Sequence, residues 1–175
     1  MTAAEVRSVT LSWQPAGPMR PDLSGLDQLR GWRDGSIVMP PIGQALGVRF
    51  GEIEPGRVQF EMPLQEYMTN HWGVVLGGML AVGLDTALGC AVMAAIPADR
   101  DMATLDLKVE FLRTVHYRDR SVLLDAECTH LGHNRVLAAA RLTTPGGHLC
   151  ALGTANALIR PKQTQPRDPG GERNA

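Results

Sequence analysis

Residues Gly77 to Ile96 (GGMLAVGLDTALGCAVMAAI) form a run of 20 with one charged side chain, Asp85, and Pro97 ends it. As a helix this run is apolar on nearly every side, so other elements must wrap it. Its length also fits a bilayer. Against a membrane span stand the carboxylate near its middle, which costs about 2.5–3.5 kcal/mol on insertion scales, and the short alternating segments on both sides. A core helix inside a curled sheet satisfies both observations.

The flanking residues supply such a sheet. Val48, Phe50 and Ile53 suggest a first strand, and Glu54-Pro55-Gly56 a turn. Val58, Phe60 and Met62 alternate in a second strand. After the polar loop Ala98–Asp101, four further rows alternate: Leu105, Leu107, Val109, Phe111; Val122, Leu124, Ala126, Cys128; Val136, Ala138, Ala140, Leu142; and Leu149, Ala151, Gly153. Gly132 and Pro145-Gly146-Gly147 sit at the reversals. The expected fold class is α+β, a curved antiparallel sheet of five to six strands wrapped around one long central helix.

A chain of 175 residues with 44% hydrophobic and 20% charged residues is about one domain's worth and can bury a real core. Residues 1–40 read as an N-terminal extension. Pro15, Pro18 and Pro21 favour extended chain, and the alternation of Val9, Leu11 and Trp13 suits an edge strand. Ser24 can cap a short helix bearing Leu26, Leu29 and Trp32 and ending near Gly35. Pro40-Pro41 opens a second, with Ile42, Ala45 and Leu46 inward and Gly47 as its stop. The main domain is expected over 41–160. The tail 161–175 has no large apolar residue and is expected to be disordered.

Charge is balanced at 17 basic and 18 acidic residues, which gives no electrostatic footprint for nucleic acid. Cys90, Cys128 and Cys150 are odd in number with no CxxC, which fits a reducing compartment. The N-terminus lacks a basic patch followed by an apolar run, so a cytoplasmic location is expected. His130 and His133 lie three apart at a turn, but no acid or cysteine cluster completes a metal set, and none is expected. The chain has no GxSxG, P-loop or GxGxxG.

Chemistry concentrates on the central run. Asp85 has two readings: a buried acid satisfied by backbone N–H groups or Thr86, or a carboxylate held partly desolvated with raised basicity or nucleophilicity. Gly77-Gly78 opens the helix with unshielded amides at the positive end of its dipole, suited to a developing oxyanion; the alternative is a tight corner. Gly77 and Asp85 are eight residues apart, or about 12 Å along one helix. One reacting carbon cannot touch both, so shared chemistry requires a homodimer with two equivalent sites across its interface.

The strand–strand–helix–strands order, together with Asn70-x-x-Gly73-x-x-x-Gly77-Gly78, Leu84-Asp85-Thr86-Ala87 and Thr104-Leu-Asp-Leu-Lys-Val-Glu-Phe-Leu-Arg113, resembles the hotdog-fold acyl-CoA thioesterases of the phenylacetate-degradation type over roughly Pro41–Ile159. The resemblance implies a hydrolase that cleaves an acyl-CoA to free acid and coenzyme A. It further implies a homodimer or dimer of dimers, and no cofactor beyond the substrate's own coenzyme A. No nucleic acid or membrane partner is expected. Carried over by position, Asp85 is the catalytic carboxylate, as general base or nucleophile. Gly77 supplies the oxyanion amide, Asn70 positions the thioester or water, and Thr104 orients the water near Asp85. Trp72, Leu76, Gly78 and Met79 would line the substrate groove. Arg113, Arg118 and Arg135 are candidates for the coenzyme's phosphates. The family usually has His before the Gly pair, where this chain has Leu76, which can neither donate a hydrogen bond nor titrate. That departure keeps a second reading open: a non-catalytic acyl-CoA-binding or sensing protein.

Overall fold

The computed structural model describes residues 5–17, 20 and 22–162. Pro18 and Pro21, expected to be extended, lie outside the described residues, as does the expected disordered tail from 163 on. The first two residues of the 161–175 tail are instead ordered, Pro161 closing the last strand and the Lys162 N–H donating to the Asp99 carbonyl at 2.8 Å. The elements are α1 (Gly25–Asp34), α2 (Pro41–Leu46), β1 (Arg49–Glu54), β2 (Arg57–Pro63), α3 (Gly77–Ala95), β3 (Arg100–Phe111), β4 (Ser121–Leu131), β5 (Arg135–Thr143) and β6 (Leu149–Pro161). Six strands form one antiparallel sheet in the order β1-β2-β4-β5-β6-β3.

The central run is the helix α3, packed against β2 through β6. Leu80, Leu84, Ala87, Leu88, Ala91 and Val92 are buried against Phe60, Met62, Val122, Leu124, Val136 and Leu142. The inward rows of β2, β4, β5 and β6 follow the alternation in the sequence. Small residues let helix and sheet approach closely: a Cβ at Gly153 would lie 3.2 Å from Leu84 Cδ2. The helix is long and apolar enough to span a membrane, with mean hydropathy 1.6, yet half of that window is buried by this sheet.

β3 departs from the expected row. Its register with β6 shifts between Thr104 and Asp106. There the Asp106 carboxylate accepts the Asn156 backbone N–H at 3.1 Å and its amide Nδ2 at 2.7 Å. The bulge changes the parity of the strand. Leu107 and Val109 pack on the core, whereas Leu105 is 48% exposed. Before the bulge the even positions face the helix: Met102 Cε reaches the Gly89 position, and alternation puts Thr104 on that same side. β3 pairs only with β6, leaving its outer edge open along 12 residues.

The extension contributes packing. Ser24 caps α1, accepting the Asp27 N–H at 3.1 Å, and Gly35 ends it at φ 79°. α1 lies on α3 and β1, with Trp32, Phe50 and Phe60 in an aromatic row. The contact is close enough that a Cβ at Gly25 would sit 2.0 Å from the Met93 carbonyl oxygen. Gly25→Ala is therefore expected to push α1 outward and cost about 1–3 kcal/mol, the usual overpacking range, read as a lowered Tm. α2 begins at Pro41 and buries Leu46, but Ile42 points outward, contrary to the sequence reading. The buried side of the helix is instead Gly43 and Leu46, with Met39 packed against Gly43, and that orientation leaves Ile42 to solvent. Val9, Leu11 and Trp13 are exposed and join no strand. Their segment is instead hooked to α2, where Gln14 N–H donates to Gln44 Oε1 and Gln44 Nε2 donates to Gln14 O.

On the outer sheet face Arg57 grips Asp125 through two bonds, Nε–Oδ1 at 3.0 Å and Nη2–Oδ2 at 2.7 Å, and Gln59 adds a third. Hydrogen bonding to Arg57 holds the Asp125 carboxyl below its ordinary value, against partial burial. A depressed carboxylate stabilises the fold above its unfolded pKa and loses that contribution as pH falls through its folded pKa. Asp125→Asn is expected to lower Tm at neutral pH by an amount corresponding to at most about 1 kcal/mol, because the pair is partly solvated. The gap to wild type should close below pH 4, in a thermal series from pH 7 to pH 3.

Candidate active site

α3 starts abruptly. Leu76 is its N-cap residue and offers no side-chain cap. The Met79 N–H bonds the Leu76 carbonyl at 2.9 Å. Among the described residues no acceptor faces the Gly77 or Gly78 N–H, so the positive end of the helix dipole is presented with two free donors. The two glycines have different reasons. A Cβ at Gly77 would lie 2.9 Å from Phe111 Cζ, so the ring of β3 needs that space. Gly78 has nothing within 4 Å of a Cβ and an ordinary helical backbone. Glycine costs a helix about 1 kcal/mol relative to alanine, and nothing within the protomer explains it at Gly78.

Asp85 lies on the same side of the helix. Gly78 and Asp85, two turns apart, are exposed; Val82 and Gly89 between and beyond them are half-buried, Val82 against the core and Gly89 beside Met102, while Gly83, Leu84, Ala87 and Leu88 face inward. Asp85 is exposed and makes no hydrogen bond or ion pair among the described residues. The Thr86 hydroxyl donates to the Val82 carbonyl at 2.8 Å and is not its partner. The reading of Asp85 as a satisfied buried acid is thereby excluded. Its expected desolvated pocket is also absent from the protomer, and any shielding of the carboxylate must come from outside it. Cys90 lies deeper, and burial, with a smaller push from Asp85, raises its thiol to about 12, so it stays protonated.

The loop before α3 is built by Asn70. Its Oδ1 accepts the N–H groups of Trp72 and Val74 at 3.0 and 3.2 Å, and its own N–H bonds the Val74 carbonyl. That carbonyl oxygen is occupied in shaping the loop, which leaves the side-chain NH₂ for a ligand. Gly73 turns the chain at φ 72°. Val74 then bridges to His116, and the Val75 N–H bonds the Val115 carbonyl, which joins this loop to the one after β3.

The remaining sequence candidates are scattered. Met79 is partly buried beside the helix start, and Leu76 is 51% exposed there. Thr104 lies on the helix-facing side of β3, at its bulge. Arg113 follows β3 at the end that touches Gly77, its N–H on the Cys150 carbonyl. Arg135 begins β5 opposite Leu158, at the end of the sheet where Met102 and Gly89 meet, far from Gly77. Trp72 is 72% exposed and lies against the His71 ring at a tilt of 42°, in a cleft with His116, Tyr117 and Arg118. It joins a polar cleft, not the apolar groove the sequence suggested. No group of three or more His, Cys, Asp or Glu among the described residues is placed to hold a metal ion.

One helix enclosed by a six-stranded antiparallel sheet is the hotdog fold. Its solved likenesses include a phenylacetic acid degradation-related protein from Ralstonia eutropha (TM-score 0.69, 23% identity, 75% of this chain and 98% of the other) and PaaI from the Escherichia coli phenylacetic acid degradation operon (TM-score 0.66, 16% identity, 77% and 92%). The thioesterase superfamily model matches residues 73–151. A Halobacterium salinarum protein assigned as an esterase is 33% identical over 120 residues, covering 66% of this chain and 78% of that one. The chain belongs to the thioesterase superfamily, and thioester hydrolysis is the chemistry of that class.

Proposed function

We propose that the protein hydrolyses acyl-CoA thioesters in the cytoplasm, at two sites each shared between two copies of the chain. The observation that carries the reading is the uncovered face of α3. A lone carboxylate, Asp85, stands mid-helix with no partner among the described residues, about 12 Å from two amides at the helix start that none of those residues caps. A thioester carbonyl takes the Gly77 N–H of one protomer, where the amide and the helix dipole meet charge as it develops on oxygen. Asp85 of the other protomer acts as general base toward water, or attacks the carbonyl itself and forms an anhydride while the thiolate leaves. Thr104, on the helix-facing side of β3, orients the water, and the Asn70 NH₂ positions the thioester. Gly78 and Met79 leave room for the acyl chain.

The open edge of β3 supports the pairing, because a 12-residue unpaired edge with Leu105 and Phe111 exposed is a natural place for a second copy. A dimer formed there brings the two uncovered helix faces together and shields Asp85. Three free cysteines suit the reducing cytoplasm.

Leu76 favours a second reading, binding without turnover, since an apolar side chain stands at the mouth of the amide pair. Thiol release from a panel of short, long and aryl acyl-CoAs decides between them. Release by the wild type, lost in Asp85→Asn, is expected; tight binding of the panel without release would establish the binding protein.

A further inference from the structure

Two recesses adjoin the Asn70 loop and share Glu66, Tyr117 and Arg118. The first, of about 510 Å³, is walled by the adjoining rings of His71 and Trp72, and by His116. The second, of about 810 Å³, adds Arg49 and Arg120. Their acids are already engaged: Glu66 contacts Arg7, and Glu61 pairs with Arg49 at 3.2 Å. Arg118 and Arg120 are exposed and have no ion-pair partner among the described residues.

Arg120 is unusual in its backbone. At φ 69° it is the one non-glycine residue with positive φ among those described. Its carbonyl accepts the Leu64 N–H at 2.8 Å, which fixes the corner to the exit of β2. Glycine would hold that corner without strain, so an arginine side chain stands on the recess wall against the backbone's preference. Nearby, the Trp72 indole lies 3.7 Å between centroids from the His71 ring, tilted 42° to it, and is 72% exposed. A propped, exposed indole is a stacking platform for a heteroaromatic base. Guanidinium groups with free donors match phosphate oxygens. A flat base carrying more than one phosphate fits both recesses together.

We propose that these recesses hold the nucleotide end of a coenzyme A substrate, its base on Trp72 and its phosphates at Arg118 and Arg120. The protein then takes coenzyme A thioesters in preference to thioesters on a carrier protein, which present pantetheine without a nucleotide. The assignment rests on the thioester reading above. It places the carrier's far end on the loop that leads from Asn70 into the helix start.

Calorimetric titration of the full chain with adenosine 3′,5′-bisphosphate tests the site without turnover. Saturable binding is expected, weaker by about tenfold or more in Arg118→Ala/Arg120→Ala. Quenching of tryptophan emission should accompany it and vanish in Trp72→Phe. Arg120→Gly is the second variant, because it removes the side chain while relieving the backbone, so weakened binding there cannot come from a strained fold. No binding by wild type, unchanged affinity in these arginine variants, or equal affinity for inorganic phosphate overturns the proposal. In kinetics, the double variant should reduce the kcat/KM preference for acyl-CoA over acyl-pantetheine by about tenfold; an unchanged preference also overturns it. If wild type binds the bisphosphate yet releases no thiol, the nucleotide site stands and the hydrolase reading falls.

Discussion

Asp85→Asn is expected to lower kcat for thiol release by about 10²–10⁴-fold, the range for loss of a positioned proton-transfer group. Asparagine keeps the size and shape of the side chain but neither accepts a proton nor attacks a carbonyl. The fold should be indifferent, because Asp85 is exposed and makes no bond among the described residues. A Tm equal to wild type beside a collapsed kcat separates chemistry from stability. Undiminished turnover in the variant would remove Asp85 from the mechanism. One turnover in ¹⁸O-water tests for an anhydride opened at the Asp85 side. Label in that side chain establishes attack by Asp85, since general-base attack, like opening of the anhydride at the acyl carbonyl, puts all of it in the released acid.

The helix and its carboxylate were legible because both signals are local. A 20-residue apolar run with one acid needs no knowledge of its neighbours to be read as a wrapped helix. Four inward rows were legible for the same reason, since alternation with period two survives wherever a strand has a sheet on both sides. The row of β3 broke where a tertiary bond intervenes: Asp106 captures Asn156, 50 residues away, and shifts the register there. The exposure of Asp85 was also hidden, because an apolar helix looks the same whether the sheet covers all of it or leaves one face open. Trp72 illustrates the third limit. Its apolar bulk suggested an acyl groove, but its surroundings are set by residues 116–118, brought across by the Val74–His116 bridge. Arg113 and Arg135 looked alike as strand-end arginines, and only the topology puts them at opposite ends of the sheet. The strained corner at Arg120 has no sequence signal at all, since arginine is not a residue that marks positive φ.

Gly77→Pro is expected to reduce kcat by about 10²–10³-fold, the cost of deleting one oxyanion donor. Proline removes the Gly77 N–H and is well tolerated at the first position of a helix, where that N–H has no intrahelical partner. The preceding residue is already suitable: Leu76 sits at φ −61°, ψ 137°, the extended region that proline requires before it. The added ring does press on Phe111, so Gly77→Ala is the control, with the same Cβ and the amide intact. Activity kept in the alanine variant and lost in the proline variant assigns the loss to the N–H. The two inactive variants together then test the shared site. In a hybrid dimer of Gly77→Pro with Asp85→Asn, one site combines the intact Gly77 of one protomer with the intact Asp85 of the other, while the second site carries both lesions. Random pairing makes half the dimers hybrid, so co-expression should restore about a quarter of wild-type activity from two inactive chains. If both groups served one site within a single protomer, each chain would carry a lesion in its own site, and mixing would restore nothing.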